Sequence, residues 1–117
     1  AYAKAGDATR AEALFDRLHE SGRGDGALRA GYRLGRLLAD RGETDRAVPY
    51  FEAATALVDD DTGARARFAL GEIREGRKDW EGAAREFMLI GLLYRHDELT
   101  AEALWRAAAA YDAMEQR

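Results

Sequence analysis

The segment GETDRAVPYFEAA, residues 42–54, contains a glycine, a small alanine and a large phenylalanine, and the last two recur along the chain. Two series of identical residues advance in steps of 36 residues: Ala11, Ala47, Ala83 and Phe15, Phe51, Phe87. In each unit the alanine precedes the phenylalanine by four residues, so both lie on one face of a helix. The segment therefore predicts a repeated helix, helix B, which is entered through a turn at Gly42.

A second helix, helix A, is predicted ahead of each helix B. Leu34-Gly35 recurs as Leu70-Gly71 after 36 residues, and residues 27–41 carry apolar side chains at helical spacing. A glycine inside a helix costs about 1 kcal/mol relative to alanine, so we expect the paired helix to approach closely there. Short turns at residues 40–45 and 75–80 predict antiparallel pairs, with Thr44 and Asp79 as helix caps. Longer polar loops are expected at residues 21–26, 59–63 and 95–98.

Composition narrows the class of protein. The 117 residues are 47% hydrophobic and 34% charged with a single proline, which predicts one folded all-α domain. A net charge of -4 argues against nucleic-acid binding. The longest apolar run, residues 87–94, is far shorter than the roughly 18 residues that span a membrane. No cysteine is present, which leaves the compartment open. Because the chain begins with Ala1 and no leader, we interpret it as an excised or processed piece.

Taken together, the repeated positions resemble the tetratricopeptide repeat, whose pattern is W-x2-L-G-x2-Y, then A-x3-F, then P. Leu34, Gly35, Leu38, Ala47 and Phe51 match it, and the next unit repeats four of these. The resemblance implies a right-handed α-solenoid of antiparallel helix pairs. It gives about three repeats: partial repeats at 1–25 and 101–117 around full repeats at 28–61 and 64–97. The chain departs from the family at Gly31, Arg67, Arg74 and Lys78, in lacking the terminal proline and in its longer period.

The same resemblance implies a binding groove along the A helices. Tyr32, Phe68 and Trp105 occupy the groove-facing position of successive A helices. The other groove positions hold charged residues: Arg29, Arg36, Arg65, Glu72 and Glu102. Rings with guanidinium groups suit a ligand with apolar anchors and carboxylates. The alternative is that the three rings pack on one another and only stabilise the stack.

The other motifs in the sequence do not indicate an adhesion, metal-binding or catalytic site. The RGD tripeptide at residues 23–25 is explained by turn formation, and residues 59–61 by helix capping rather than a metal site. His19 and His96 have no nucleophile beside them and are interpreted as surface residues, as are Glu72 and Glu75. We therefore expect no catalytic residue, no metal and no cofactor.

The expected function is a non-enzymatic scaffold that binds a peptide or helix of a protein partner. The absence of asparagine disfavours the family's carboxylate-gripping mode. Two alternatives stay open: a self-association module, since both ends are half-repeats, and a sensor segment of a larger regulator. The apolar helix over residues 87–93 is expected to be buried between repeats, with a homo-oligomer surface as the alternative. The segments YRLGRLL and ALWRAAAAY resemble bacterial envelope repeats, which favours a periplasmic location and leaves a cytoplasmic one open.

Overall fold

Helices dominate the structure, a computed structural model that describes residues 10, 12, 13, 16, 17, 24–58 and 61–116. Five helices are complete within these residues: α1 (Gly24–Asp40), α2 (Thr44–Ala54), α3 (Asp61–Gly76), α4 (Trp80–Leu93) and α5 (Asp97–Glu115). No strand occurs in this part of the chain, so the all-α prediction is confirmed at the level of class. The predictions on Ala11, Phe15, His19 and residues 59–60 lie outside the described residues. The chain divides into two compact units, Ala1–Ala54 and Thr55–Arg117.

The two predicted turns are built identically. Gly42 N–H donates to the Ala39 carbonyl (2.9 Å), and Glu43 N–H donates to the Leu38 carbonyl (2.9 Å). Thirty-six residues later the same two bonds form at Lys78 and Asp79, at 3.0 and 2.9 Å. This pair of bonds is the Schellman motif, which needs a left-handed residue after the helix. Accordingly, Gly42 has φ +80° and Lys78 has φ +61°.

In the first unit, α1 and α2 form a helical hairpin around one aromatic ring. A Cβ placed on Gly35 would lie 2.9 Å from the Phe51 ring, which is fully buried. The predicted close approach at Gly35 is therefore confirmed. Ala47 is also fully buried, and the Tyr32 ring packs on Phe51 with centroids 5.7 Å apart. Phe51 thus packs within its own helix pair.

In the second unit, α3 and α4 repeat that hairpin and α5 packs on α4. A Cβ on Gly71 would lie 2.6 Å from the Phe87 ring. Phe87 also belongs to a buried cluster that links α4 to α5 and consists of Ala83, Phe87, Ile90, Ala103 and Ala107. The partly buried Phe68 ring packs against this cluster. Asp79 precedes α4 as its N-cap, because its side chain accepts a hydrogen bond from Gly82 N–H (3.0 Å). This bond lowers the pKa of Asp79.

Helix boundaries differ from the prediction at four places. Helices α1, α3 and α5 begin at Gly24, Asp61 and Asp97, inside segments that were predicted as loops. Gly63 supports close packing rather than a loop, because a Cβ there would collide with the Leu57 carbonyl oxygen. Thr44 is the first residue of α2 rather than its cap. Acidic residues in the first turns, such as Asp61, favour these earlier starts through the helix dipole.

The apolar stretch of α4 is only partly buried. Phe87 and Ile90 are fully buried, as expected between repeats. Met88, Leu92 and Leu93 are exposed, and Leu92 is 75% exposed. The prediction of burial therefore holds for one face of α4 and fails for the other. Within the residues described, no helix combines the length and apolar character that crossing a membrane requires.

Candidate functional site

Arg106 organises the surface on which two predicted A helices, α3 and α5, meet. Its Nη1 donates to Glu75 Oε1 (3.0 Å) and Glu72 Oε2 (3.3 Å), both on α3. Its Nε lies 3.7 Å from Glu102 Oε1, one turn earlier on α5. The guanidinium also covers the Phe68 ring at 5.2 Å from its centroid. We call this surface the α3–α5 face; its residues are Phe68, Glu72, Glu75, Glu102 and Arg106.

The α3–α5 face is acidic, because three carboxylates surround one guanidinium. Arg106 is 29% exposed and Glu102 is 58% exposed, so water screens these pairs and each contributes little to stability. Glu72 and Glu75, which were interpreted as a solvated surface, are 42% and 26% exposed, and both bind the same arginine. Excess negative charge favours a ligand with basic groups over one with carboxylates.

Trp105 is the most exposed large apolar side chain of the described residues, at 79%. It neighbours Arg106 on α5, at the border of the α3–α5 face. An exposed tryptophan offers a large, rigid contact area at low conformational cost, which is why tryptophan is frequent among the residues that dominate binding energy. Trp105 is therefore the strongest anchor that the structure offers a partner.

The remaining predicted residues occupy two different surroundings. In the first unit, Arg29 and Arg36 are exposed on α1, and Arg36 lies 3.9 Å from Asp40 one turn away. In the second unit, Arg65 donates to Asp61 (3.2 Å) on its own helix. Arg36 and Arg65 already have acidic neighbours that a ligand carboxylate would need to displace. The geometry therefore gives less support to carboxylate recognition than the sequence suggested.

The three predicted groove rings, Tyr32, Phe68 and Trp105, have different surroundings. Tyr32 packs on Phe51, and Phe68 packs edge-on against Phe87 with centroids 5.2 Å apart. Each of these rings therefore contacts the helix B phenylalanine of its own pair. Trp105 has no such ring and remains exposed. Of the three aromatic residues, the half-buried Tyr32 and Phe68 are mainly structural and Trp105 is available for binding.

Two buried or half-buried polar residues were missed or misjudged from the sequence. His96 caps α5, since its Nδ1 accepts from Leu99 N–H (3.2 Å), and its Nε2 lies 3.1 Å from Asp61 Oδ1. His96 is thus a structural residue and not a plain surface histidine. The Tyr94 hydroxyl donates to the Thr55 carbonyl (2.6 Å). The sequence signal for this cap was a single histidine, His96, directly before Asp97 and Glu98 at the start of a predicted helix.

Arg67 and Arg74, which depart from the repeat pattern, bind one glutamate across the α3–α4 hairpin. Arg67 Nη1 donates to Glu86 Oε2 (2.9 Å), and Arg74 Nε lies 3.7 Å from Glu86 Oε1. Glu86 is 8% exposed, which makes this the most buried ion pair of the described residues. Arg67 also donates to the Tyr94 hydroxyl (3.2 Å), and Arg74 Nη1 donates to Asp79 Oδ2 (3.3 Å). Because these contacts all join α3 to α4 or to the residues that flank α4, we assign the cluster to packing of the hairpin and not to a ligand.

No group of three or more metal-ligating side chains is found in the described part of the chain. Comparison of the sequence with protein-family models and characterised proteins, and of the structure with solved structures, gives no match.

Proposed function

We propose that the protein is a non-enzymatic scaffold of the tetratricopeptide type, which binds a peptide or helix of a protein partner along its A helices. The repeated hairpins with identical Schellman turns and the glycine beneath a phenylalanine support this kind of repeat. The single observation that carries the binding role is the exposed Trp105 beside the acidic α3–α5 face. A large aromatic anchor bordered by charged groups is a common arrangement at protein interfaces.

The charges of the α3–α5 face suggest what the ligand carries. An apolar or aromatic side chain would stack on Trp105, while lysine or arginine side chains would reach Glu72 and Glu102. These glutamates are exposed, so they contribute mainly to the rate and selectivity of association, and their contribution weakens as salt is raised.

Selection from a random peptide library tests the proposal, because the natural partner need not be known. We expect the selected peptides to contain an aromatic residue and basic residues. Trp105→Ala should weaken the dissociation constant at least tenfold, which is about 1.4 kcal/mol. The matched control is Leu104→Ala: Leu104 is exposed on α5 but points away from Arg106. That variant should stay within about twofold of the wild type.

Thermal unfolding by circular dichroism accompanies the binding measurements. Trp105→Ala should leave the melting temperature almost unchanged, because the side chain is mostly exposed. Failure to select any peptide, or peptides that bind both variants equally, would contradict the proposed α3–α5 site. A concentration-dependent increase of the sedimentation coefficient would instead favour the alternative of self-association.

A further inference from the structure

Arg106 is the one cation of the α3–α5 face, and it serves three carboxylates with two of its nitrogens. Nη1 alone donates to both Glu75 and Glu72, and Nε lies 3.7 Å from Glu102 Oε1. A guanidinium has five N–H donors, whereas each carboxylate accepts through two oxygens with about four lone-pair sites. The three carboxylates therefore have more acceptor sites than this guanidinium fills.

The guanidinium of Arg106 also occupies the position where the cation of a ligand would bind best. Its central carbon lies 5.2 Å from the centroid of the Phe68 ring, and the face of an aromatic ring attracts a cation at this distance. A ring face bordered by carboxylates suits a guanidinium or an ammonium group. In the free protein, Arg106 thus fills the position that a basic side chain of the ligand would take.

The three ion pairs of Arg106 are unequal. The pair with Glu75 has the shortest distance, 3.0 Å, and Glu75 is the least exposed of the three carboxylates. The pairs with Glu72 and Glu102 are longer, at 3.3 and 3.7 Å, and both carboxylates are exposed. Because exposed ion pairs contribute little to stability, Arg106 can release Glu72 and Glu102 while it keeps Glu75.

We propose that Arg106 competes with the basic side chain of the ligand and thereby determines how basic a ligand must be to bind the α3–α5 face. This inference rests on the proposed function. A lysine or arginine of the ligand takes the Phe68 ring, Glu72 and Glu102, while Arg106 retains Glu75. Exchange of one cation for another gains little, so the face discriminates against ligands that carry only one basic group.

The fold does not require an arginine at this position. Buried residues of α3 recur in α5 after 37 residues, as Ala66 and Ala103 do, and in this register the counterpart of Arg106 is Ala69. Alanine also has the highest helix propensity. Arg106→Ala should therefore keep α5 intact while it uncovers the Phe68 ring and leaves three carboxylates without their shared cation.

The first experiment measures binding of a defined basic peptide, tetra-arginine with acetylated and amidated ends. Isothermal titration calorimetry at low, constant ionic strength limits screening of the exposed charges. We expect Arg106→Ala to bind this peptide at least about fivefold more tightly than the wild type, because the internal competitor is gone. Adding Glu102→Gln to Arg106→Ala should remove most of this gain.

The matched control for the change of net charge is Arg85→Ala. Arg85 is an exposed residue of α4 that lies 3.7 Å from Glu81 on its own helix and takes no part in the α3–α5 face. This variant removes the same charge and introduces the same residue as Arg106→Ala. Its affinity for tetra-arginine should stay within about twofold of the wild type.

The second experiment tests the position of the cation directly with methylguanidinium. We expect this ion to shift the nuclear magnetic resonance signals of the Phe68 ring protons in Arg106→Ala in a saturable manner. Half-saturation of the wild type should need at least about fivefold more of it. Methylurea, which has nearly the same shape and no charge, should leave the Phe68 signals unchanged in both proteins.

Three results would overturn the proposal. The first is tetra-arginine that binds Arg106→Ala no more tightly than the wild type, since Arg106 would then hold the glutamates in place rather than compete. The second is an equal gain in Arg85→Ala, which would reflect net charge alone. The third is a Phe68 ring that does not respond to methylguanidinium in Arg106→Ala. Circular dichroism shows whether both variants fold, and Arg106→Gln, which should show a gain in the same direction, replaces Arg106→Ala if the latter does not.

The proposed function is decided separately, by the effect of Trp105→Ala on peptides selected from the library. Selected peptides that require Trp105, together with equal binding of tetra-arginine to Arg106→Ala and the wild type, would leave the scaffold function in place and overturn only the competition by Arg106.

Discussion

The α1–α2 and α3–α4 hairpins are two versions of one structure, and their differences separate the residues that define the hairpin from those that can vary. Both contain a fully buried phenylalanine above a helical glycine, and both close with the same Schellman turn. In both, a helix A ring also packs on that phenylalanine, and these shared features form the common frame of the hairpin. The turn residue is Gly42 in one and Lys78 in the other, and the surrounding residues differ in charge.

The clearest difference is an exchange of apolar residues for an ion-paired cluster. Where the first hairpin has Gly31 and Leu38, both buried, the second has Arg67 and Arg74. The glutamate that both arginines approach, Glu86, replaces Tyr50. All three positions differ together, and Glu86 lies within ion-pair distance of both arginines. The comparison indicates that these positions tolerate either chemistry provided that their partners match.

The largest expected effect tests the common frame. Phe51→Ala and Phe87→Ala should each lower the free energy of unfolding by about 3–5 kcal/mol, as truncation of a buried aromatic residue does. Urea unfolding followed by far-ultraviolet circular dichroism measures the whole helical content. Tryptophan fluorescence follows only the second unit, because Trp80 and Trp105 both lie within Thr55–Arg117.

The two probes distinguish the unfolding of the two hairpins. Phe87→Ala should shift the fluorescence transition to lower urea concentration, whereas Phe51→Ala should shift it only to the extent that the two units unfold together. Phe87→Leu, which preserves most of the volume, should cost less than about 1.5 kcal/mol. A loss below 1 kcal/mol in both alanine variants would show that the phenylalanine and glycine pair does not define the hairpin.

A smaller effect is expected from the cluster that only the second hairpin contains. Glu86→Gln keeps the shape but leaves Arg67 and Arg74 without their shared carboxylate, and it should cost about 2–3 kcal/mol. This lies below the value for a fully buried pair, because the Arg67 side chain is 16% exposed. The measurement is urea unfolding followed by tryptophan fluorescence.

A control variant and a double variant test whether apolar residues can replace the ion-paired cluster around Glu86. Glu81→Gln removes an exposed partner of Arg85 on the same helix and should change stability by less than about 0.5 kcal/mol. The double variant Arg67→Met with Glu86→Leu restores apolar partners and should return to within about 1 kcal/mol of the wild type. If the double variant is as unstable as Glu86→Gln, the two chemistries are not interchangeable.

The frame could be predicted from the sequence because it depends on residues that recur at one period. Three features follow from the type and spacing of alanine, phenylalanine, glycine and aspartate in the repeat. They are the closeness of Gly35 to helix B, the turn at Gly42 and the cap at Asp79. The cluster around Glu86 gave no such signal. It joins Arg67 to a residue 19 positions away and occurs in only one hairpin, so no periodicity revealed it.

The candidate site was predictable in position but not in chemistry. The pattern placed Phe68, Glu72, Glu102 and Trp105 in one region of the repeat, and in the structure they surround or adjoin Arg106. Arg106 itself was missed, although it follows Glu102 by one helical turn. Which face of a helix a neighbour covers depends on tertiary packing, and for this reason the burial of Phe68 and the exposure of Trp105 could not be separated in advance.

The smallest expected effect concerns the turn residue, where the two hairpins share geometry but not sequence. Lys78 has φ +61°, which costs a residue with a side chain about 1 kcal/mol. Lys78→Gly removes this cost but raises the entropy of the unfolded chain, so we expect a net gain of about 0.5 kcal/mol. Gly42→Ala should lose about 1 kcal/mol at the equivalent position, since no neighbour within 4 Å would offset the strain. Urea midpoints of both variants measure the two effects, and destabilisation by Lys78→Gly would mean that the Lys78 side chain stabilises the turn by more than its backbone strain costs.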